Sequence, residues 1–265
     1  MKPRMQELLR TMQRYNSTAM AREVFGLDAA VTYDALVVAP SWKPTKIIEG
    51  PAFAITPLAD HSYVSGYLVE KDGMKIAWIQ CASGACNLID HLFICAELKF
   101  KKLIFAGAVG SLVPAFSVGD FCTSAVSIEG TLSSAYLSEK LSDYQPFAQV
   151  APPNAAFLNH VSALADSMGY PLRPATVFCT DSISLEYAHL DEIKAMGAQL
   201  IEMETAAFYR LADLLEVPAM ALLVVSDNSS NGDPLLGRSP ELDARYHNTR
   251  NHVIPQMIEA IARLD

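Results

Sequence analysis

The sequence predicts a single α/β domain with a mixed, largely parallel sheet flanked by helices. Three observations carry this prediction. Short apolar runs recur along the chain, segments of helical periodicity separate them, and 51% of the 265 residues are hydrophobic against 18% charged. Runs of this kind between amphipathic helices are typical of a sheet covered on both faces, and the apolar content suffices for one large core.

The elements follow from the spacing of the apolar residues. Met5, Leu9 and Met20 recur near helical spacing and predict one helix over residues 5–22. We assign residues 1–30 to an N-terminal helical extension and residues 31–265 to the α/β domain. The apolar runs predict strands at 35–39, 75–81, 102–108, 120–128, 174–180 and 218–227, and the helical patterns lie at 87–99, 154–168, 186–196, 203–216 and 241–264.

Charge and cysteine content limit the class of ligand. The net charge of −9 argues against a nucleic-acid partner, because a phosphate backbone is bound through basic patches. The longest apolar run, residues 219–225, is too short to span a bilayer. Five scattered cysteines without a CxxC pair suit a reducing compartment, and no histidine pair has metal-ligand spacing beside a carboxylate. We therefore expect a cytoplasmic protein with a small-molecule ligand, no membrane partner and no metal.

Three strand ends carry residues suited to ligand binding, since ligands of open α/β sheets collect at the carboxyl ends of the strands. Gly107 and Gly110 form a turn that lets a backbone approach a ligand, although an ordinary tight turn is the favoured interpretation of that feature alone. Asp227 ends an apolar strand and is equally a turn former or a general acid.

The third strand end is the segment IEMET. Glu202 and Glu204 bracket Met203 where an apolar helix begins. Carboxylates in a first helical turn favour the helix dipole, which is the simplest interpretation. Two carboxylates around a methionine can also grip a diol while the thioether covers its apolar face.

These strand ends, in this order, resemble those of nucleoside phosphorylases. AGAVGSLVPAFSVGDF is similar to the glycine turn of that family, with Pro114 and the Val118-Gly119-Asp120 strand start after it. IEMETAAFYRLADLLEVPAMALLVVSDN resembles the family's Glu-Met-Glu helix followed by its Ser-Asp strand end. CTDSISLEYAHLDEIKAMGAQL resembles the segment that lines the base pocket. The resemblance runs from residue 35 to the carboxyl terminus, so residues 31–265 are interpreted as a nucleoside phosphorylase-like domain.

The resemblance implies roles for the sugar-binding residues. Glu204 would bind the ribose hydroxyls, Met203 would pack under the sugar and Glu202 would support them. Ser83 and Gly84 fall where the family has a sugar-contacting loop, although a plain turn is equally compatible with them.

On the base side, the resemblance makes Asp227 the acid that protonates a purine ring nitrogen as the base leaves, with Ser226 beside it. Arg238 corresponds to a downstream arginine that assists the acid. Tyr187 can stack on the base or simply pack at a helix start. The pyrimidine-specific branch lacks the acid and carries a Gln-x-Arg clamp that this sequence does not have, so purines are favoured.

The phosphate side departs from the family pattern. VVAPSWKPTKIIEG lacks the family's Gly-Asp-Pro and its arginine. Phe105 stands where a second phosphate-binding arginine is expected, and Ala108, beside Gly107 in the ligand-facing turn, stands where a serine or threonine touches phosphate. Lys43 and Lys46 are the candidate replacements. We predict no cofactor, with phosphate as co-substrate.

Three hypotheses follow for the function. The first is phosphorolysis of a purine nucleoside with a rebuilt phosphate site. The second is hydrolysis, in which water replaces phosphate. The third is a non-catalytic nucleoside-binding protein, against which the acid Asp227 counts because a binder needs none. The resemblance also implies a homo-oligomer.

Overall fold

The structure is a computed structural model that describes residues 1–61 and 63–264. Its strands are β1 (Thr32–Tyr33), β2 (Ala35–Val38), β3 (Ala54–Asp60), β4 (Ser65–Lys71), β5 (Met74–Gln80), β6 (Lys99–Phe100), β7 (Leu103–Ser111), β8 (Phe121–Glu129), β9 (Gln149–Val150), β10 (Arg173–Cys179), β11 (Leu200–Glu202) and β12 (Ala219–Asn228). Its α-helices are α1 (Pro3–Met12), α2 (Met20–Phe25), α3 (Pro44–Ile47), α4 (Ala85–Ile94), α5 (Ala155–Ser167), α6 (Leu190–Ala195), α7 (Thr205–Leu215), α8 (Pro240–Asn248) and α9 (Ile254–Ala262).

One mixed sheet organises the molecule. Ten strands of the described residues join in the order β11-β10-β8-β12-β7-β2-β5-β4-β3, with β9 alongside β8. The pairings of β2 with β5 and β7, of β7 with β12, and of β10 with β8 and β11 are parallel. Strand β11 also pairs antiparallel with β7, so β7, β12, β8, β10 and β11 close into a ring. The prediction of a mixed sheet flanked by helices is confirmed.

Alternating residues of the strands feed two apolar layers, one on each face of the sheet. In β2, Leu36 and Val38 face the layer that includes buried residues of α1, α2, α4 and α7. Ala35 and Val37 face the opposite layer, which includes buried residues of α5 and α9. Because both faces are covered, the central strands are continuous apolar runs, and this is why the sequence revealed them.

Strands β3 and β4 were missed from the sequence. They form an antiparallel hairpin at one edge of the sheet, and most of β3 is exposed or half-buried. An edge strand that faces solvent has no continuous apolar run, and Pro57 within β3 is tolerated there because an edge strand leaves N–H groups unpaired.

The prediction of one helix over 5–22 was wrong, because α1 ends at Met12 and α2 begins at Met20. Between them the Ser17 hydroxyl accepts a hydrogen bond from the backbone N–H of Ala19 at 3.0 Å. Such local bonds compete with helical ones. Met5 of α1 is fully buried in the same apolar layer as α7, so the N-terminal segment packs directly on the main core.

Two other helical predictions were too simple. Residues 186–196 form a 3-10 turn over Glu186–His189 before α6. Residues 241–264 contain a π-helical turn over Thr249–Val253, where the N–H of Ile254 bonds to the carbonyl of Thr249. Pro255 has no N–H to donate to the carbonyl four residues earlier, which accounts for the change of pitch. Across residues 1–61 and 63–264, every helix is too short or too polar to cross a membrane.

Candidate active site

A cavity of about 220 Å³ opens at the carboxyl ends of β7, β11 and β12. Its wall brings together predicted site residues from five separate segments: Ser83, Gly107, Ala108, Tyr187, Glu202, Met203, Glu204, Ser226 and Asp227. Ligands of α/β sheets bind at strand carboxyl ends, so the sheet places these residues where a ligand is expected.

Asp227 owes its orientation to an irregularity in β12. The pairing of β12 with β7 shifts by one residue between Val225 and Asp227, so Ser226 is the extra residue of a bulge. The Ser226 hydroxyl donates to Oδ1 of Asp227 at 2.5 Å. Burial raises the pKa of the Asp227 carboxyl above its usual value, although the Ser226 bond and the charge of Arg238 act in the opposite direction. A raised pKa suits a proton donor.

Gly110 at the end of β7 makes room for this carboxyl. A Cβ atom on Gly110 would lie 3.0 Å from Oδ2 of Asp227 and 3.2 Å from Cγ2 of Ile201. Asp227 and Ile201 therefore approach the same point beside the backbone, and only a glycine leaves room for both. The prediction of a turn at Gly107 and Gly110 was wrong, because both residues pair with β12 inside strand β7.

Arg238 does not line the cavity, but it is close enough to Asp227 for its charge to lower the pKa of that carboxyl. Its Nη1 donates to the carbonyls of Ser226 and Leu235, both at 3.1 Å, and its Nη2 donates to Asp243 at 3.0 Å. Its guanidinium also stacks on Tyr246, 4.4 Å from the ring centroid. In this arrangement Arg238 fastens the loop after β12 to the bulge and acts on Asp227 through its charge.

Glu204 is held at the start of α7 by a contact from a distant loop. The backbone N–H of Gly84 donates to its Oε1 at 2.5 Å. Gly84 has a φ of 104°, a conformation that side-chain-bearing residues rarely adopt, and it directs the amide toward the carboxylate. Burial and the neighbouring Glu202 raise the pKa of Glu204. Gly84 thus contacts the sugar-binding candidate rather than lining the cavity itself.

Glu202 is occupied by donors from the protein. Its carboxylate accepts bonds from the N–H of Glu204 at 2.7 Å, the hydroxyl of Thr205 at 2.8 Å and the thiol of Cys179 at 2.9 Å. The N–H of Thr205 adds two further bonds, at 3.0 and 3.1 Å. A carboxylate held this fully at the amino end of a helix fixes the turn that presents Met203 and Glu204.

Ser41 and Trp42 are among the residues of the wall that were not predicted from the sequence. Ser41 and Trp42 follow β2, and the Ser41 hydroxyl lies 3.2 Å from that of Ser83. Ser41 adopts a left-handed backbone conformation with a φ of 64°. Non-glycine residues in that region cluster at functional sites, but nothing in the local sequence marks the conformation.

Glu186 was also missed, although it belongs to the segment recognised as base-pocket lining. It lines the cavity together with Tyr187, which is half exposed. Burial and the charge of Asp227 raise the pKa of Glu186 to about 7. Residue type gave only a weak signal, because the helix dipole already accounts for an acidic residue in a first helical turn.

The ionisable carboxyl and basic groups on the described wall of this cavity are all carboxyl groups. Among the described residues that line the cavity, Glu186, Glu202, Glu204 and Asp227 are acidic, and none is lysine, arginine or histidine. Lys43 instead forms an ion pair with Asp60 at 2.6 Å. Lys46 is exposed on α3, outside the residues that form the wall. The assignment of Lys43 and Lys46 to phosphate binding stays a prediction.

Known proteins resemble the chain in both sequence and fold. Residues 56–260 match the family model of the phosphorylase superfamily. The chain is 25% identical to a DeoD-type purine nucleoside phosphorylase of Aliivibrio salmonicida over 184 residues, which are 68% of the chain and 75% of that protein. It is 27% identical over 134 residues to the DeoD-type purine nucleoside phosphorylase of an Exiguobacterium species, which are 50% of the chain and 54% of that protein.

A solved structure shares the fold. It is the P. knowlesi homologue of P. falciparum PNP, with a TM-score of 0.65 and 16% identity, and the match covers 91% of this chain and 93% of that one. The family model covers well over half of the sequence and includes every strand of the closed ring. The chain belongs to the phosphorylase superfamily.

Proposed function

We propose that this protein cleaves the N-glycosidic bond of a purine nucleoside and transfers the ribosyl group to phosphate. The observation that carries the proposal is that Asp227, a half-buried acid with a raised pKa, and the Met203-Glu204 pair face one cavity. The family membership and the names of the curated relatives support the same reaction class.

At the base end, Asp227 would serve as the proton donor. When the bond between the sugar C1′ and the base breaks, its electron pair goes to the purine, and a purine anion is a poor leaving group. A proton passed from the Asp227 carboxyl to a ring nitrogen removes that charge. The Ser226 hydroxyl, 2.5 Å from Oδ1, then stabilises the carboxylate that forms.

At the sugar end, Glu204 would accept hydrogen bonds from the ribose hydroxyls. The Gly84 amide fixes one of its oxygens, and Glu202 fixes the backbone on which it stands. The Met203 thioether offers an apolar surface to the sugar. Positioning of this kind accounts for a large share of catalysis when the reacting groups are well oriented.

Hydrolysis is the second candidate, and one observation favours it. The described wall carries four acidic side chains and no cationic one, which opposes the entry of a phosphate dianion. The Ser41 and Ser83 hydroxyls can orient either acceptor, water or phosphate. Under phosphorolysis, the positive charge has to come from outside the wall.

Release of free base from a panel of purine nucleosides, with and without added phosphate, tests both candidates. Turnover that requires phosphate and yields a sugar 1-phosphate supports phosphorolysis. Equal turnover in phosphate-free buffer, with free sugar as product, refutes it in favour of hydrolysis. Tight nucleoside binding without any turnover would leave only the binding-protein hypothesis, against which the acid at position 227 counts.

A homo-oligomeric assembly and a cytoplasmic location also belong to this proposal. A second subunit is one source of the cation that the described wall lacks. Light scattering coupled to size exclusion measures the assembly, and a monomer that retains phosphate-dependent turnover would remove that explanation.

A further inference from the structure

A second cavity, of about 370 Å³, adjoins the candidate active site. The two cavities share Thr180 and Glu186, which stand between them. Apolar side chains supply most of the surface of its wall, and polar side chains supply the rest. The apolar ones are Phe147, Phe178, Leu185, Ile193 and Met196, and the polar ones are Thr180, Asp181, Ser182, Glu186, His189 and Glu192. Most of this wall comes from residues 180–196, within the segment that resembles the family's base-pocket lining, but the proposed mechanism does not use the space.

The second cavity lies on the base side of the site. Ile201 and the Asp227 carboxyl both lie beside Gly110, 3.2 and 3.0 Å from the position that a Cβ atom would take there. Ile201 is also the direct neighbour of Phe178 in the parallel pairing of β11 and β10. Phe178 and Ile193 pack with Ile201 in one apolar cluster. A path of adjacent residues therefore leads from the proton donor to the second cavity, whereas Glu204 and Gly84 mark the sugar end.

One residue of the wall of the second cavity has a strained backbone conformation. Phe147 has a φ of 58°, an unusual value for a bulky residue, and its N–H donates to the carbonyl of Glu129 at 2.9 Å. This conformation stacks its ring on that of Phe178, with centroids 6.1 Å apart and an angle of 26° between the planes. Strained residues persist where the surrounding structure enforces them, often beside ligands.

We propose that the second cavity accepts an apolar substituent carried on an exocyclic nitrogen of the base. The inference rests on the proposed function and narrows its substrate class to purine nucleosides with an alkyl or benzyl group on that nitrogen. Glu186 at the junction offers an acceptor for the remaining N–H, and the stacked phenylalanines offer an aromatic surface. Acidic residues at the rim, Asp181 and Glu192, disfavour an anionic substituent.

The test compares adenosine with N6-benzyladenosine and guanosine with N2-benzylguanosine, by base release and by isothermal titration calorimetry. Burial of even a few carbon atoms of the benzyl group corresponds to roughly a tenfold gain in affinity for the bound compound. We expect at least one benzyl compound to exceed its parent by that factor in kcat/KM or in association constant. Equal or weaker values for both would overturn the inference while leaving the proposed function intact. If all four compounds neither bind nor react, the proposed function fails and the inference fails with it.

Two surface variants locate the effect. Met196→Glu places a charge in the second cavity and should abolish the preference for the benzyl compound. Leu132→Glu places the same charge on a residue outside both cavities and should retain it. The two residues are 37% and 64% exposed, so both variants should fold, which thermal unfolding checks. If Met196→Glu does not fold, Leu185→Glu, at a position 71% exposed, replaces it. A preference that survives the charge in the cavity would overturn the inference.

Discussion

Replacement of Asp227 by asparagine removes the proposed proton while keeping the shape of the side chain. The amide oxygen can still accept the 2.5 Å bond from Ser226, and Gly110 leaves the same space for it. A general acid contributes about 100- to 10,000-fold. Glu186 lines the same cavity, but the Asp227 charge is one of the two causes of its raised pKa, so the substitution also lowers that pKa and makes Glu186 a poor replacement acid. We therefore expect a loss of about 100- to 10,000-fold in kcat, or roughly 3–5 kcal/mol.

The assay pairs an ordinary purine nucleoside with its N7-methylated counterpart. The methylated base carries a positive charge before the bond breaks and leaves as a neutral molecule, so it needs no proton from the enzyme. Asp227→Asn should lose activity on the first substrate and keep it on the second. Since the pKa of Asp227 is raised, kcat of the native enzyme should fall as the pH rises through that pKa, and the variant should lose this limb of the profile.

Two results would refute this reasoning. A loss below about tenfold on the ordinary substrate would mean that Asp227 does not donate the proton. An equal loss on both substrates would mean that the variant disturbs binding or geometry instead. Thermal unfolding of the variant separates the second result from simple misfolding.

Three further predictions concern the support of the site. At a pH above the raised pKa of Glu204, where the native side chain is charged, Glu204→Gln should raise KM about tenfold or more through loss of a charged acceptor. Native KM should also rise as the pH falls below that pKa, and the variant should show no such dependence. Gly110→Ala should lower kcat by about tenfold or more with little change in melting temperature, because the new Cβ would lie 3.0 Å from Oδ2 of Asp227. An unchanged kcat would contradict the proposed placement of the acid. Arg210→Met should lower the free energy of unfolding in urea by roughly 3 kcal/mol, because the fully buried Glu129 loses a guanidinium that donates to it at 2.6–3.0 Å. Adding Glu129→Gln should recover much of this loss. A cost below about 1 kcal/mol for Arg210→Met would show that the ion pair is dispensable for stability.

Most central strands and helices were predictable because burial leaves continuous apolar runs in the strands and apolar residues at helical spacing in the helices. Strands such as β7 and β12 are apolar on both faces, and their bounds differ from the predictions by only a few residues. The hairpin of β3 and β4 escaped because its pairing, not its composition, makes it a sheet edge. The break after α1 depends on a hydroxyl–amide bond at Ser17 that competes with the helix by a small free energy.

The sequence by itself determined the order of elements, the family and the chemical types at the strand ends, including Asp227 and the segment from Glu202 to Glu204. Those features are local, so residue type and spacing express them. Only the tertiary structure decided which groups meet. Gly84 bonds to Glu204 across 120 positions of the chain. Glu186 shares a cavity with Asp227, and no cation of the described residues joins them on its wall. These relations depend on how distant segments pack, and packing leaves no periodic trace in the chain.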